Sequence, residues 1–313
     1  MTLTQLEYVL SVNKHRHFGR AAQACAVTQP TLSMQINKLE EELGVILFDR
    51  SKNPILPTQE GEAVIDQAQN VIQEYRKVFQ VIEVGQKELV GEFRLGVIPT
   101  LSPYLVPLFV GDFCHKHPKL DLIIEEHKTE DIMTLLEKDE LDAALLVTPL
   151  KLNNIVERTL FYEPFSLFIS SDHSLSSKEK VKASELNSKG LWLLNEGHCM
   201  RTQMAQICSL REGQKSGQNL RFESGNLETL MNLVENYGGY TLIPWLCWQG
   251  LSNRRKKLTK EFSGTIPSRE VSLVHRRIYL KERMIDALEK DILSNLPKGL
   301  QSHKTKNQEI IDI

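Results

Sequence analysis

The spacing of apolar positions divides the chain into three stretches. Over residues 1–58 it is helical. Leu6, Val9 and Leu10 mark one helix, and Leu32, Ile36, Leu39 and Leu43, at intervals of 4, 3 and 4, mark one face of another. Thr4 is placed to cap the first. Phe18 to Ala24 forms a short helix between them, whose Ala21 and Ala22 allow close packing. Thr28 is the N-cap candidate of the later helix, Pro30 fits its first turn, and Gly44 ends it as a left-handed C′ residue. Val45 to Thr58, with Pro54 and Pro57, reads as a small β-wing. From residue 59 to 90 one long helix follows. Val64, Ala68, Val71, Tyr75, Val78 and Ile82 fall at spacings 4, 3, 4, 3 and 4, a coiled-coil seam. A helix of about 28 residues extends ~40 Å, more than a small head domain can cover, so it predicts dimerisation.

From Gly91 the pattern becomes α/β. Phe93–Ile98, Leu120–Glu125, Leu141–Val147, Ser166–Ile169, Leu191–Leu194, Tyr240–Ile243 and Val271–Val274 read as short strands. Ile132–Lys138 and Leu227–Glu235 read as helices between them, the second capped by Asn226. Three domains are expected: residues 1–58, 59–90 and 91–296. The polar tail, 297–313, is expected to fray. No internal repeat is visible.

Composition narrows the function classes. Hydrophobic residues at 41% and charged residues at 25% are ordinary for a globular protein and argue against global disorder. The net charge of −2 excludes a globally basic nucleic-acid binder and confines any DNA contact to a local surface. No apolar run approaches the ~20 residues that span a bilayer, and the N-terminus lacks a secretory pattern. Five cysteines make no disulfide scaffold. The expectation is a cytoplasmic protein with no membrane partner, no cofactor and no metal.

The head domain has helix-turn-helix character. Thr31, Ser33, Gln35 and Lys38 lie opposite the apolar face, as in a helix that enters a major groove. With Thr28, Gln29, Pro30 and Arg50 they form the candidate contact set for double-stranded DNA, Arg50 and Lys52 facing phosphates. Charge does not decide this: the region holds six Lys and Arg against five Asp and Glu, and a small helical protein-binding domain fits the same pattern. The five cations between Arg254 and Lys260 read as a solvated face, with an extra DNA or partner contact as the alternative.

Two of the cysteines carry candidate chemistry. Cys25, Cys114 and Cys247 sit in contexts of small buried hydrophobes. Cys199 follows a strand-like run and Gly197, where a helix begins. A thiol in the first helical turn feels the positive end of the dipole, and His198 and Arg201 add donors or positive charge. Each would favour the thiolate, the form that attacks peroxide. Cys208 lies nine residues on. In an unbroken helix that is ~13.5 Å of rise with the two on opposite faces, and a disulfide needs Cα atoms within about 7 Å. Bonding would therefore require the helix to come apart. Two unrelated, permanently reduced thiols on one helix are the simpler alternative.

The ordered motifs Phe18-Gly19-Arg20-Ala21-Ala22, Thr28-Gln29-Pro30-Thr31-Leu32-Ser33, Leu39-Glu40-Glu41-Glu42-Leu43-Gly44-Val45, Leu47-Phe48-Asp49-Arg50 and Thr58-Gln59-Glu60-Gly61 resemble the LysR-type transcriptional regulators. The resemblance covers Met1 to about Leu296. It implies an N-terminal all-α winged helix-turn-helix, a dimerising linker helix, and an α/β regulatory domain of two lobes similar to periplasmic binding proteins. One lobe would hold about 91–162 and 267–296, the other about 163–266.

Gly197-His198-Cys199-Met200-Arg201 with Gln203 and Cys208 resembles the redox loop of the family's hydrogen peroxide sensors. So do Val97-Ile98-Pro99-Thr100 with Pro103-Tyr104-Leu105, and Thr241-Leu242-Ile243-Pro244. That resemblance implies Cys199 as the peroxidatic and Cys208 as the resolving cysteine. Thr100 and Thr129 would line the peroxide site, His198 would hydrogen-bond near the thiol, and Arg269 would approach the thiolate and lower its pKa. It also implies a homodimer or homotetramer on promoter DNA, RNA polymerase as partner, activation of oxidative-stress genes, and glutaredoxin or thioredoxin as reductant. Arg221, Thr202 and Ser209 depart from the common histidine, aspartate and phenylalanine. The rival within the family is a regulator that binds a small metabolite between its lobes; outside it, a thiol peroxidase, which leaves the head domain and the seam unexplained.

Overall fold

The computed structural model describes every residue except 53, 84–87, 153, 209–224, 277–280, 301–304 and 306, and the side chains of 73, 76, 77 and 79–83. The chain divides into two compact units, Met1–Gln86 and Lys87–Ile313.

The first unit is built from α1 (Leu3–His15), α2 (Phe18–Ala24), α3 (Gln29–Leu43), a two-strand wing of β1 (Phe48–Asp49) and β2 (Leu56–Pro57), and α4 (Gln59–Glu83). Thr2, not Thr4, caps α1: its hydroxyl accepts from the Gln5 amide while the Gln5 side chain accepts from the Thr2 amide. Thr4 is therefore helical, and the cap came two residues earlier than its spacing to Leu6 implied. Thr28 and Gly44 bound α3 as expected, Gly44 at φ 70°. Leu6, Val9, Val12, Leu32, Ile36 and Leu39 form the core.

The long helix is not a separate body. Ile65, Ala68 and Ile72, at spacings of 3 and 4, enter the core of the head, with Val64 and Val71 packed against it. Ala68 and its neighbours on the expected seam are thus taken up by their own domain. Only beyond them do Tyr75 and Val78 emerge as exposed; the Ile82 side chain lies outside the described residues. Gly61 lets α4 start tight against the wing, because a Cβ there would stand 2.0 Å from the Leu47 carbonyl oxygen.

The second unit runs β3 (Gly91–Val97), α5 (Ser102–Lys116), β4 (Leu120–Glu126), α6 (Thr129–Glu137), β5 (Ala143–Thr148), β6 (Ile155–Ile169), β7 (Lys180–Val181), α7 (Cys199–Ile207), α8 (Leu227–Tyr237), β8 (Tyr240–Pro244), α9 (Trp245–Gln249), α10 (Asn253–Lys256), β9 (Thr259–Phe262), β10 (Ile266–Arg276), α11 (Glu282–Asn295) and β11 (Gln308–Ile310). Strand order is β4-β3-β5-β10-β6-β9-β7, with β8 on β6 and β11 on β10. The β4-β3-β5 part is parallel, and burial is complete along β5 and falls off toward the edge strand β4.

Two strands, β6 and β10, run antiparallel from Ser268↔Pro164 to Arg276↔Ile155 and join two cores. Along β6 the core changes between Phe161, which belongs to the first, and Phe165, which belongs to the second. The unit is thus a two-lobed α/β domain.

Two expectations are corrected here. Leu191–Leu194 is not a strand; Leu191 and Leu194 are isolated bridge residues, Leu191 pairing with Tyr240. Nor are the described residues of the polar tail frayed: Leu300 is buried, and Gln308–Ile310 pairs in parallel with Ile266–Ser268. That edge of β10 is open because β5 covers only Glu270–Val274, and a three-residue strand is too short to announce itself by alternation.

Candidate functional site

Cys199 is the first residue of α7, after Gly197 at φ 86° and the N-cap His198. The helix starts at the first lobe and ends in the second. Cys199 packs against the first core, while Met200, Met204, Ile207 and Cys208 belong to the second. Its thiol meets the backbone amides of Cys199 and Met200, the Thr129 hydroxyl and the charge of Arg269. Thr129, itself the first residue of α6, has a buried hydroxyl with no oxygen or nitrogen partner among the described residues. The sulfur is its polar neighbour.

The electrostatic result differs from the expectation. Burial dominates and raises the Cys199 thiol above its ordinary value; Arg269, Thr129 and the two amides only oppose that rise. Arg269 is itself spoken for. It is fully buried on β10, its Nε donates to Glu163 Oε2 at 2.8 Å, and its Nη1 and Nη2 donate to Thr100 Oγ1 and the Thr100 carbonyl at 3.0 and 3.2 Å. The Glu163 carboxylate that pairs with it also accepts from the Leu246 amide at the start of α9, at 2.7 Å. Glu163, fully buried on β6, was missed from sequence; its signal was the one charged residue in the Leu160–Ile169 half of the strand, between Phe161 and Phe165.

His198 is buried as well. Burial and then the nearby Lys128 hold it below the ordinary histidine value, so it is neutral at pH 7 and adds no positive charge. Lys128 donates to the Glu196 carbonyl at 3.2 Å, and Arg201 turns back to the Leu194 carbonyl at 2.7 Å. The site therefore gathers Cys199, Thr129, Thr100 and Arg269, with His198 at its rim. A cavity of about 360 Å³ lined by Glu88, Lys116, Lys119 and Arg283 shares none of these residues.

Cys208 closes α7 as its C-cap and is buried, its pKa pushed up to about 12 by desolvation. The Tyr240 hydroxyl lies 3.9 Å from its sulfur. All five cysteines are free thiols. Cys247 is a buried hydrophobe as expected and Cys25 is half-buried, whereas Cys114 is exposed on α5, so its reading as a core residue is corrected. Thr202 is exposed; Ser209 and Arg221 lie outside the described residues.

In the head, Thr28, Gln29, Pro30, Thr31 and Lys38 are exposed along one side of α3, with Ser33 half-buried beside them. Gln35 is half-buried and accepts from the Gln5 side chain at 3.2 Å. Arg50 is held by Glu40 at 2.6 Å and lies over the Phe18 ring. Arg255, in the basic run of 254–260, is tied to Glu228, Glu235 and Asn232, and Lys256 lies over Trp248.

Comparison with known proteins places both units. Residues 3–62 match the bacterial regulatory helix-turn-helix protein model of the lysR family, and residues 86–288 match the LysR substrate binding domain. The chain is 34% identical over 276 residues to the "Hydrogen peroxide-inducible genes activator" of Haemophilus influenzae, covering 88% of this chain and 91% of that one. Identity is also 34% to the "DNA-binding transcriptional dual regulator OxyR" of Escherichia coli, covering 88% and 90%. Among solved structures, a full-length OxyR variant from Pseudomonas aeruginosa superposes with a TM-score of 0.76 at 32% identity, over 93% of this chain and 94% of that one.

Proposed function

The chain belongs to the LysR family of bacterial helix-turn-helix regulators, and on that premise we propose that it is an OxyR-like, peroxide-sensing DNA-binding regulator switched by a reversible Cys199–Cys208 disulfide. One observation carries the reading. Cys199 starts a helix beside the buried Thr129 hydroxyl and a buried arginine, and the second thiol ends the same helix in the other lobe.

The chemistry follows from that arrangement. The Cys199 thiolate attacks one peroxide oxygen, the O–O bond breaks, and the leaving hydroxide takes a proton to become water, leaving a sulfenic acid. Thr129 is placed to hydrogen-bond the incoming peroxide. Arg269 and the first amides of α7 stabilise the anion in a site where burial makes it scarce. The Cys208 thiol then attacks the sulfenic sulfur, and its proton passes to the departing hydroxide, which leaves as a second water. Two thiols are oxidised and one peroxide becomes two waters. Since α7 holds its ends apart, the disulfide forms only if the helix unwinds. A two-electron thiol reductant of the glutaredoxin or thioredoxin class restores the dithiol.

The metabolite alternative loses support at Thr100. Its hydroxyl and carbonyl both accept from Arg269, whose charge is answered by Glu163, so no free cation meets an organic acid there. The remaining assignments belong to the same reading. The exposed side of α3 enters operator DNA, and Tyr75 and Val78 continue a dimer seam, two dimers forming a tetramer that engages RNA polymerase as an activator in the cytoplasm. Peroxide is consumed once per signal rather than turned over. Among the described residues no helix is long and apolar enough to cross a membrane.

Stoichiometric peroxide followed by disulfide mapping tests this. A Cys199–Cys208 linkage, absent in Cys199→Ser, is the expected result; equal oxidation of all thiols with no such linkage would refute it. Thr31→Trp is expected to abolish operator binding while leaving the circular dichroism spectrum unchanged, and retained affinity would remove α3 from the groove.

A further inference from the structure

We infer that the C-terminal strand is a clamp that holds the redox helix in its dithiol register, with Gln203 as the positioning residue. The inference rests on the disulfide switch proposed above and adds to it an element outside the Cys199 site. The Gln203 side chain sits at the middle of α7, is fully buried, and donates from Nε2 to the Ile311 carbonyl at 2.8 Å. Its other polar atom, Oε1, is buried with no partner among the described residues. The side chain's contribution is therefore directed at the tail.

The tail is anchored on both lobes. Its strand fills the open edge of β10 directly before Arg269, with Ile266 donating to the Asn307 carbonyl at 2.7 Å and Ile311 donating to the Ser268 carbonyl at 2.9 Å. Ile311 is buried in the second core, while Leu300 and Ile313 pack on the first. Gly299 is pressed flat on Trp245, where a Cβ would stand 2.3 Å from the ring. The strand thus spans the lobes and touches α7 at its centre.

Oxidation strains that contact. Cys199 and Cys208 lie nine residues apart, and α7 must unwind between them when the sulfenic acid and the second thiol condense to a disulfide and water. Gln203 is four residues from one and five from the other, so the unwinding segment carries it away from Ile311. The clamp stabilises the dithiol form and opposes the disulfide. Its release transmits oxidation to the edge of β10 that adjoins Arg269.

Two variants of the full protein test this: Gln203→Met, which keeps volume and removes the donor, and a chain ending at Asn307. Each is equilibrated in glutathione redox buffers with disulfides mapped in the same samples, and hydrogen exchange is followed at the Ile266 amide in every chain and at the Ile311 amide in the parent and Gln203→Met. In the parent, those amides are expected to be protected when reduced and to lose protection on oxidation, while the β5–β10 ladder stays protected. Loss of one buried hydrogen bond is expected to raise the disulfide equilibrium constant about tenfold in Gln203→Met, a midpoint about 30 mV more negative; the truncation is expected to do at least as much. If the disulfide forms while Ile311 stays protected, or if the variants melt lower with an unchanged midpoint, the clamp is wrong and the disulfide switch stands. If no Cys199–Cys208 linkage forms in the parent, both fall.

Discussion

The two ends of α7 carry the same side chain in opposite surroundings. At the N-terminal end, Cys199 meets two backbone amides, a hydroxyl and a guanidinium. At the C-terminal end, Cys208 lies in an apolar core with the Tyr240 hydroxyl. Burial raises both thiols, so desolvation alone does not tell them apart. What separates them is direction. Unpaired N–H groups and the positive end of the dipole favour an anion at the start of a helix, whereas carbonyl groups disfavour one at its end. A single helix thus makes one thiol the site where a thiolate can be held and the other a neutral partner.

The largest break in that comparison is to remove one sulfur at a time. Cys199→Ser is expected to lose the peroxide response completely. Cys208→Ser is expected to react at Cys199 and stop at a sulfenic acid that dimedone traps. Mass spectrometry reads both. Trapping at Cys208 in the first variant would show the two ends to be equivalent.

The next break is at the charge that serves one end only. Arg269→Gln leaves the Glu163 carboxylate buried without its partner, and a broken buried pair costs about 3–5 kcal/mol of stability. Glu163→Gln in the same chain is expected to return most of that loss in a denaturant titration. With the fold restored, the Cys199 thiol lies higher still and the peroxide rate constant falls, which stopped-flow measurement resolves. An unchanged rate in the double variant would mean that the Glu163 charge already cancels the arginine at the sulfur.

Local features of this chain could be read from local rules. Thr28 and Gly44 as the ends of α3, Asn226 as the cap of α8 and the start of α7 near Cys199 each depend on a few adjacent residues. What escaped was set at long range. Arg269 meets Glu163 across 106 positions, and Gln203 meets Ile311 across 108, with no periodicity linking the partners. The sign of the Cys199 shift escaped for the same reason: helix dipole and neighbouring cations are visible in the sequence, but the desolvation that outweighs them is not. Likewise the seam of α4 has the right spacing, yet whether Ala68 faces a partner or its own head depends on how α1 and α3 are placed.

Titration sharpens the comparison further. With the Cys199 thiol above its ordinary value, thiolate is the minor form at neutral pH. The peroxide rate constant is expected to rise about tenfold per pH unit from pH 7 upward, and a plateau already at pH 7 would contradict the raised value. Cys208 acts on stability instead. Its folded pKa is pushed from 9.0 to about 12, so the folded state keeps a proton that the unfolded state releases. The contribution is fully present below about 9 and is lost as pH climbs toward 12. Cys208→Ala is expected to flatten that alkaline loss, read from melting temperature against pH.

The smallest expected effect concerns the hydroxyl that distinguishes the two ends most finely. Thr129→Val keeps shape at the start of α6 and removes the buried hydroxyl beside Cys199. A hydrogen bond to a charged group contributes about 1.5–3 kcal/mol, but Arg269 and the amides of Cys199 and Met200 still face the anion, so only part of that is lost. The peroxide rate constant is expected to fall several-fold, to no less than about a tenth of the parent, given the net ~1 kcal/mol of a typical hydrogen bond. Because the hydroxyl has no oxygen or nitrogen partner among the described residues to leave behind, removing it is also expected to keep or slightly raise the melting temperature. A drop in both rate and stability would mean that Thr129 holds the fold rather than the peroxide, and that the N-terminal end of α7 owes its difference to the helix and Arg269 alone.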